Sequence, residues 1–206
     1  MERIGIYGGS FNPPHVGHVR AAKAAIEALS LDKLLWMPAL QSPGKSVPEV
    51  SARHRLQMVR LCLEENMEVS DLEISRGGVS YTVDTLTQLR QTYPEAELAL
   101  LVGSDAFEHF LSWKQPEEIL KLASVAVLCR GGKKEAAAIE AQQKRLEEMG
   151  AKVYRVNNPV TEISSTTERD TVAQALSSDG DSFTSATDLT ISTTSEWLRS
   201  LSVPRK

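Results

Sequence analysis

The stretch Gly8-Gly9-Ser10-Phe11-Asn12-Pro13-Pro14-His15-Val16-Gly17-His18 decides the fold of this chain. It follows an apolar pattern typical of a β-strand, Ile4 to Tyr7, and it opens a helical pattern that runs from Val16 to about Ser30. Two glycines allow the backbone to approach a ligand closely, and the first turn of a helix presents free N–H groups and a positive dipole. The strand, the glycine turn and the helix N-terminus together predict a phosphate-binding site.

Two histidines, His15 and His18, lie on the first turn of this helix. A spacing of three residues places both imidazoles on one face, where they add side-chain hydrogen-bond donors. The glycines alone are a weak signal, because the stretch is neither G-x-G-x-x-G nor a Walker P-loop. The histidines could also be a metal pair or ordinary surface or core residues, but a third metal ligand at suitable spacing is not evident. We therefore favour phosphate binding.

Strand and helix patterns alternate along the rest of the chain. Predicted strands are Leu34–Met37, Met67–Ser70, Leu98–Val102, Ser124–Cys129 and Val153–Val156, and predicted helices cover 52–65, 82–93, 104–113, 117–122, 134–149 and a stretch after Ser164. This alternation predicts an α/β fold with a single Rossmann-like parallel sheet and helices on both faces. Ligands of such sheets bind at the carboxyl ends of the strands, where the strand order reverses. Segments that follow different strands can therefore form one site.

Composition narrows the class of protein. A length of 206 residues allows one domain, or one domain with an appendage. A net charge of -4 gives no support to a nucleic-acid partner. Two cysteines inside apolar patterns indicate a reducing compartment, and we expect no signal peptide and no membrane span. The expected location is the cytoplasm.

The opening stretch resembles the N-terminal signature of bacterial nicotinate-mononucleotide adenylyltransferases, which belong to the nucleotidyltransferase superfamily with an H-x-G-H motif. Further resemblances follow in the same order as in that family: Pro43-Gly44-Lys45 (the loop that carries a basic residue), Arg53, Arg55 and Met58 (the R-x-x-M helix), residues 80–86 (SYTVDTL), Gly103 to Trp113 (G-x-D…W) and residues 163–169 (ISST-x-x-R). The SYTVDTL segment is specific to this subfamily. The resemblance implies a nucleotidyltransferase domain at 1–169. Residues 170–206 are a divergent C-terminal segment, rich in Ser, Thr and Asp, whose composition predicts a loop or poor order.

The resemblance implies a reaction in which the 5′-phosphate of nicotinate mononucleotide attacks the α-phosphorus of ATP, giving deamido-NAD and pyrophosphate. Such a site neutralises phosphate charge and aligns the reactants. The implied catalytic residues are His15, His18, Lys45 and Arg169. The implied nucleotide-binding residues are Gly8, Gly9, Ser10, Phe11, Gly103, Ser165 and Thr166, and the implied acceptor-binding residues are Tyr81, Thr82, Asp105 and Trp113. Mg²⁺ would be held mainly by phosphates and water, so no metal-ligating side chain is expected.

Several readings stay open at this stage. Gly44 stands where the family usually has a histidine, and Glu168 stands where it usually has an aliphatic residue. Trp113 could be a core residue, Asp105 a helix cap, and Arg53 to Arg55 a charged helix face. The segment Arg130-Gly131-Gly132 could approach adenine or form a solvent turn.

Two alternative functions also stay open: a related adenylyltransferase with another acceptor such as phosphopantetheine, and a nucleotide-binding module with impaired catalysis. We expect small-molecule substrates, no nucleic-acid or membrane partner, and leave a homo-oligomer open.

Overall fold

The structure is a computed structural model that describes residues 1–46, 48, 50–131 and 133–158. Its described part contains a six-stranded parallel sheet. The strands are β1 Arg3–Gly9, β2 Lys33–Pro38, β3 Met67–Val69, β4 Glu97–Gly103, β5 Ser124–Cys129 and β6 Val153–Asn157. The predicted helix after Ser164, the residues Ser165, Thr166 and Arg169, and the segment 170–206 lie outside the described residues.

The helices connect the strands. They are α1 Val16–Leu29, α2 Ala52–Arg60, α3 Leu72–Arg76, α4 Thr82–Thr92, α5 Ser104–Glu108, α6 Pro116–Leu122 and α7 Lys133–Glu148, with a 3₁₀ turn at Phe110–Ser112 between α5 and α6. The strand order is β3-β2-β1-β4-β5-β6, so the direction of winding reverses between β1 and β4. The predicted Rossmann-like α/β fold is confirmed, and the glycine turn after β1 lies at the reversal point.

Alternate residues of each central strand face opposite sides of the sheet, because side chains of a strand alternate with period two. On one side, Ile4, Ile6, Leu98 and Leu100 join one core that includes residues of α4, α5 and α6. On the other side, small residues of the sheet (Ala99, Ala126) and of α1 (Ala21, Ala22, Ala25) join a second core with larger side chains such as Trp36 and Leu101. Small residues on both the sheet and α1 allow that helix to pack closely against the strands.

Three local predictions differ from the structure. The helix predicted over 104–113 is divided into α5, which ends at Glu108, and the 3₁₀ turn at Phe110–Ser112. The helix predicted over 52–65 ends at Arg60. The N–H groups of Leu61 and Cys62 turn back to the last carbonyls of α2, and Asn66 takes a positive φ of 60°, so the chain leaves the helix to enter β3. The short helix α3 has no counterpart among the predicted elements, since five residues are too few for a visible period.

No helix in the described part of the chain is long and apolar enough to cross a membrane.

Candidate active site

The glycine turn leaves β1 at the reversal point of the sheet. Gly8 lines a cavity, and a Cβ atom placed on it would meet nothing within 4 Å. The packing around Gly8 therefore leaves room for a side chain, and glycine there keeps space open for a ligand. A Cβ atom on Gly9 would lie 3.0 to 3.2 Å from three ring atoms of Phe11, so a side chain at this position would require that ring to shift.

His15 and His18 lie next to each other at the start of α1. Their ring centroids are 3.8 Å apart, and the backbone N–H of His15 donates to Nδ1 of His18 over 3.1 Å. Because Nδ1 of His18 accepts this bond, a neutral His18 carries its proton on Nε2. The backbone of α1 therefore sets the tautomer that leaves His18 Nε2–H as a donor.

Both imidazoles are held neutral at physiological pH. His18 packs against the rings of Tyr7, Phe11 and Trp36, with centroid distances of 6.1, 5.2 and 6.4 Å. This burial, followed by the nearby His15 and Arg130, lowers the pKa of His18 to about 3. Burial, followed by the Arg130 charge, lowers the pKa of His15 to about 4. The pair can therefore donate hydrogen bonds to phosphate oxygens without carrying positive charge.

A cavity of about 570 Å³ opens beside the glycine turn. It brings together six of the residues predicted for the site, namely Gly8, Gly9, Lys45, Tyr81, Thr82 and Trp113. This size suits a nucleotide-like small molecule. The cavity joins the phosphate-binding end predicted at the glycine turn to the acceptor-binding end predicted at α4 and Trp113.

The start of α4 forms one wall of this cavity. Tyr81 is the N-cap residue in extended conformation, and its carbonyl accepts from the N–H of Thr85. The first N–H groups of a helix have no acceptor within the helix, so they are available to a carboxylate. Trp113 also lines the cavity, with its ring centroid 5.1 Å from that of Phe110, and it is partly buried against the core.

Other predicted residues lie outside the cavity lining. The Asp105 side chain is 81% exposed and pairs with Arg130 over 3.2 Å. Gly103 ends β4, opposite Leu128 of β5, and a Cβ atom there would also meet nothing within 4 Å. The side-chain hydroxyl groups of Ser10 and Ser42 form a hydrogen bond of 3.0 Å. The ring of Phe11 is buried against Gly9 and His18.

Arg55 connects the loops around the cavity. Its position in the charged run of residues 53–55 does not indicate this role. Its side chain is only 1% exposed, and its guanidinium donates to the backbone carbonyls of Ser10, Leu40 and Val50. Reading residues 53–55 as a charged helix face is therefore wrong for Arg55. The R-x-x-M resemblance was the only sequence signal for this role, and Met58 of that motif is fully buried.

The loop that carries Lys45 is attached at two more points. Ser42 bonds to Ser10 of the glycine turn, and the N–H of Leu40 donates to Oγ of Ser80 over 3.0 Å. The N–H of Ser80 in turn donates to the carbonyl of Gln41 over 2.9 Å. The loop therefore bridges the glycine turn and the start of α4.

Glu73 is a buried carboxyl group that also lines the cavity, and no motif marked it. It accepts from the hydroxyl of Thr85 over 2.7 Å, and Arg76 also bonds to that hydroxyl. Burial raises the pKa of Glu73 above its ordinary value, although hydrogen bonds from Thr85 and Ser80 oppose that shift. Glu73 thereby holds the hydroxyl groups of Thr85 and Ser80, two polar residues of the SYTVDTL segment.

The turn after β5 lies at the neighbouring strand end. The backbone N–H groups of Arg130 and Gly131 donate to the carboxylate of Glu135 over 3.1 and 2.7 Å. This holds Arg130 close enough to lower the pKa of both histidines. Among the described residues there is no group of three or more His, Cys, Asp or Glu side chains that could hold a metal ion.

Comparisons with known proteins agree with this geometry. The family model described as cytidylyltransferase-like matches residues 6–171. A protein of Gemmatimonas aurantiaca named "Probable nicotinate-nucleotide adenylyltransferase" is 47% identical over 130 residues, which are 62% of this chain and 62% of that protein. A protein of Rhodopirellula baltica with the same name is 38% identical over 184 residues, 84% of each chain.

A solved structure has the same fold. It is Plasmodium falciparum nicotinic acid mononucleotide adenylyltransferase complexed with NaAD, with a TM-score of 0.66, 18% identity, and coverage of 98% of this chain and 97% of that one. Fold and site together define a Rossmann-like α/β protein with a glycine turn at the reversal point of its sheet. The chain belongs to the cytidylyltransferase-like family and, within it, to the nicotinate-nucleotide adenylyltransferases.

Proposed function

We propose that the protein transfers the adenylyl group of ATP to nicotinate mononucleotide, with deamido-NAD and pyrophosphate as products. One observation carries this proposal: a single cavity joins the Gly8-Gly9 turn to Tyr81, Thr82 and Trp113. Relatives that bear the name of this activity match up to 85% of the chain.

The reaction requires no covalent enzyme intermediate. An oxygen of the acceptor 5′-phosphate forms a bond to the α-phosphorus of ATP, the bond from that phosphorus to the bridging oxygen breaks, and pyrophosphate leaves. Positioning and charge stabilisation supply the rate enhancement of such a transfer. The neutral imidazoles of His15 and His18, with the first N–H groups of α1, would donate to the α-phosphate and to the leaving pyrophosphate.

Two further groups would hold the phosphates. Lys45 lines the cavity on the loop that bridges the glycine turn and α4, so its ammonium would add a positive charge for the phosphates. Ser165, Thr166 and Arg169, which lie outside the described residues, would hold the β- and γ-phosphates by the family resemblance. Mg²⁺ would be coordinated by phosphate oxygens and water and would neutralise further charge.

The acceptor would occupy the other end of the cavity. The first N–H groups of α4 suit a pyridine carboxylate, and the indole of Trp113 suits stacking on the pyridine ring. Asp105 would accept hydrogen bonds from a ribose if its exposed pair with Arg130 opens. The whole protein would act on small molecules, in the cytoplasm.

Pyrophosphate release tests this proposal. The purified protein, ATP and Mg²⁺ are mixed with nicotinate mononucleotide, nicotinamide mononucleotide or phosphopantetheine, and initial rates are measured. We expect release with the pyridine mononucleotides, fastest with the nicotinate form. The Trp113→Leu variant should raise the KM for the mononucleotide and leave the KM for ATP nearly unchanged.

The alternatives predict different results. Release with phosphopantetheine alone would identify the other acceptor. Binding of ATP without release in the presence of any of the three acceptors would indicate a nucleotide-binding module instead of an enzyme.

A further inference from the structure

Lys114 follows Trp113 directly, and its ammonium group has a defined place at the cavity wall. Its Nζ atom lies 3.1 and 3.0 Å from the two carboxylate oxygens of Asp84. The same atom lies 4.5 Å from the ring centroid of Tyr81. An ion pair on one side and an aromatic face on the other therefore hold a positive charge beside the start of α4.

Lys114 belongs to the acceptor end of the cavity. Tyr81, Thr82 and Trp113 line the same space. Among the described residues that line it, the charged side chains are Lys45, Glu73 and Lys114. Lys45 lies on the loop attached to the glycine turn, and Glu73 is engaged by Thr85. Lys114 is thus the cation next to the site where the acceptor ring would lie.

We propose that Lys114 is a specificity-determining residue that favours an acceptor bearing a carboxylate on its pyridine ring over one bearing a neutral carboxamide. This inference rests on the proposed adenylyl transfer and deepens it. The helix N–H groups at the first turn of α4 attract a carboxylate whether or not residue 114 is a lysine. The Lys114 ammonium adds attraction for the carboxylate and none for the neutral carboxamide.

The size of the effect follows from exposure. The side chains of Lys114 and Asp84 are 42% and 38% exposed, so water screens the charge and Asp84 neutralises part of it. We therefore expect about a three- to tenfold preference from this residue, the range of a half-exposed charged hydrogen bond.

The test compares kcat/KM for nicotinate mononucleotide and for nicotinamide mononucleotide in the full chain. For Lys114→Met, the ratio of the two values should fall about three- to tenfold, through a higher KM for the nicotinate form with an unchanged KM for the nicotinamide form. Lys114→Arg, which keeps the charge, should retain the ratio. The matched control is Lys121→Met, which breaks a similar exposed ion pair, with Glu118, and leaves the cavity lining untouched.

The outcomes separate this inference from the proposal beneath it. An equal loss for both mononucleotides in Lys114→Met would mean that Lys114 only supports Tyr81, and an unchanged ratio would mean that the charge is not sensed; either result overturns the inference. A wild-type protein that releases no pyrophosphate with either mononucleotide would overturn the proposed function, and this inference with it. A melting temperature within about two degrees of wild type shows that each variant is folded.

Discussion

Arg55 shows how one buried side chain can organise a site without entering it. Its guanidinium contacts three loop segments, at Ser10, Leu40 and Val50, and each contact is a backbone carbonyl. These carbonyls have left the sheet, so the neighbouring strands do not pair with them. A single cation therefore holds the glycine turn and the lysine-bearing loop at a constant separation.

Replacing Arg55 by Ala should destabilise the protein by about 2–4 kcal/mol, because three buried carbonyls lose a charged donor. Urea unfolding measures this loss. The matched control is Arg53→Ala, on the same helix but exposed, which should change the free energy of unfolding by less than about 0.5 kcal/mol. Equal effects of the two substitutions would contradict a special role for Arg55.

The depressed pKa values of His15 and His18 predict a pH dependence of stability. Below an unfolded-state pKa of about 6.5 the unfolded chain takes up protons that the folded chain excludes, so the free energy of unfolding falls as the pH falls below that value. Above pH 7 both states are neutral at these positions and the dependence disappears. Between pH 7 and pH 5, wild type should lose about 1–2 kcal/mol more than His18→Gln.

Urea unfolding of wild type and His18→Gln at the two pH values provides this comparison, and carboxyl groups that titrate in both proteins cancel in the difference. Identical losses in the two proteins would show that His18 is protonated in the folded state.

The glycine turn is the element in which fold and proposed function meet. Its two glycines differ in their surroundings: the Gly8 position faces open cavity, and the Gly9 position faces the ring of Phe11. Neighbouring glycines of one turn therefore differ in that one borders the cavity and the other packs against an aromatic ring.

This difference predicts opposite results for two alanine substitutions. Gly8→Ala should leave the melting temperature nearly unchanged and raise the KM for ATP about tenfold or more, because the new methyl group occupies the cavity. Gly9→Ala should destabilise the protein by about 1–3 kcal/mol, because Phe11 is packed among Tyr7, His18 and Trp36 and cannot withdraw freely. Thermal unfolding and initial-rate kinetics measure the two effects. A destabilised Gly8→Ala protein would place Gly8 among the packing glycines instead.

At the scale of the whole molecule, the sheet is packed differently on its two sides. On the side that faces α1, Ala99 and Ala126 of the sheet lie among larger residues, and α1 contributes Ala21, Ala22 and Ala25 to the same core. Close approach of this helix places its N-terminus, with His15 and His18, at the carboxyl end of β1. The distance between the helix and the sheet therefore affects the site directly.

A larger side chain between α1 and the sheet should lower the stability of the folded protein. Ala22 is fully buried, and Ala22→Leu should destabilise the protein by about 1–3 kcal/mol through overpacking. Ala28→Leu, on the exposed part of the same helix, changes helix propensity equally and should shift the free energy of unfolding by less than about 0.5 kcal/mol. Urea unfolding of both variants tests this, and a stable Ala22→Leu protein would show that α1 can move away from the sheet.

Much of this molecule could be predicted from local sequence. The apolar strands and helical periods alternate clearly enough to predict the parallel sheet, and Ser124–Cys129 was predicted with the bounds that the structure has. The boundary errors lie where the local pattern is weak, at the ends of α2 and α5 and at the five-residue α3. Short elements are decided by the positions of their neighbours in space.

By itself the sequence determined the order of elements, the glycine turn before α1 and the motifs that identify the family, since each of these is encoded in neighbouring residues. The tertiary structure alone decided that Arg55 is buried, that His18 is held neutral, and that Lys114 lies over Tyr81 at the same cavity as Gly8. Burial, pKa and cavity shape depend on residues that are far apart in the chain, and the winding of the sheet around β1 is what brings them together.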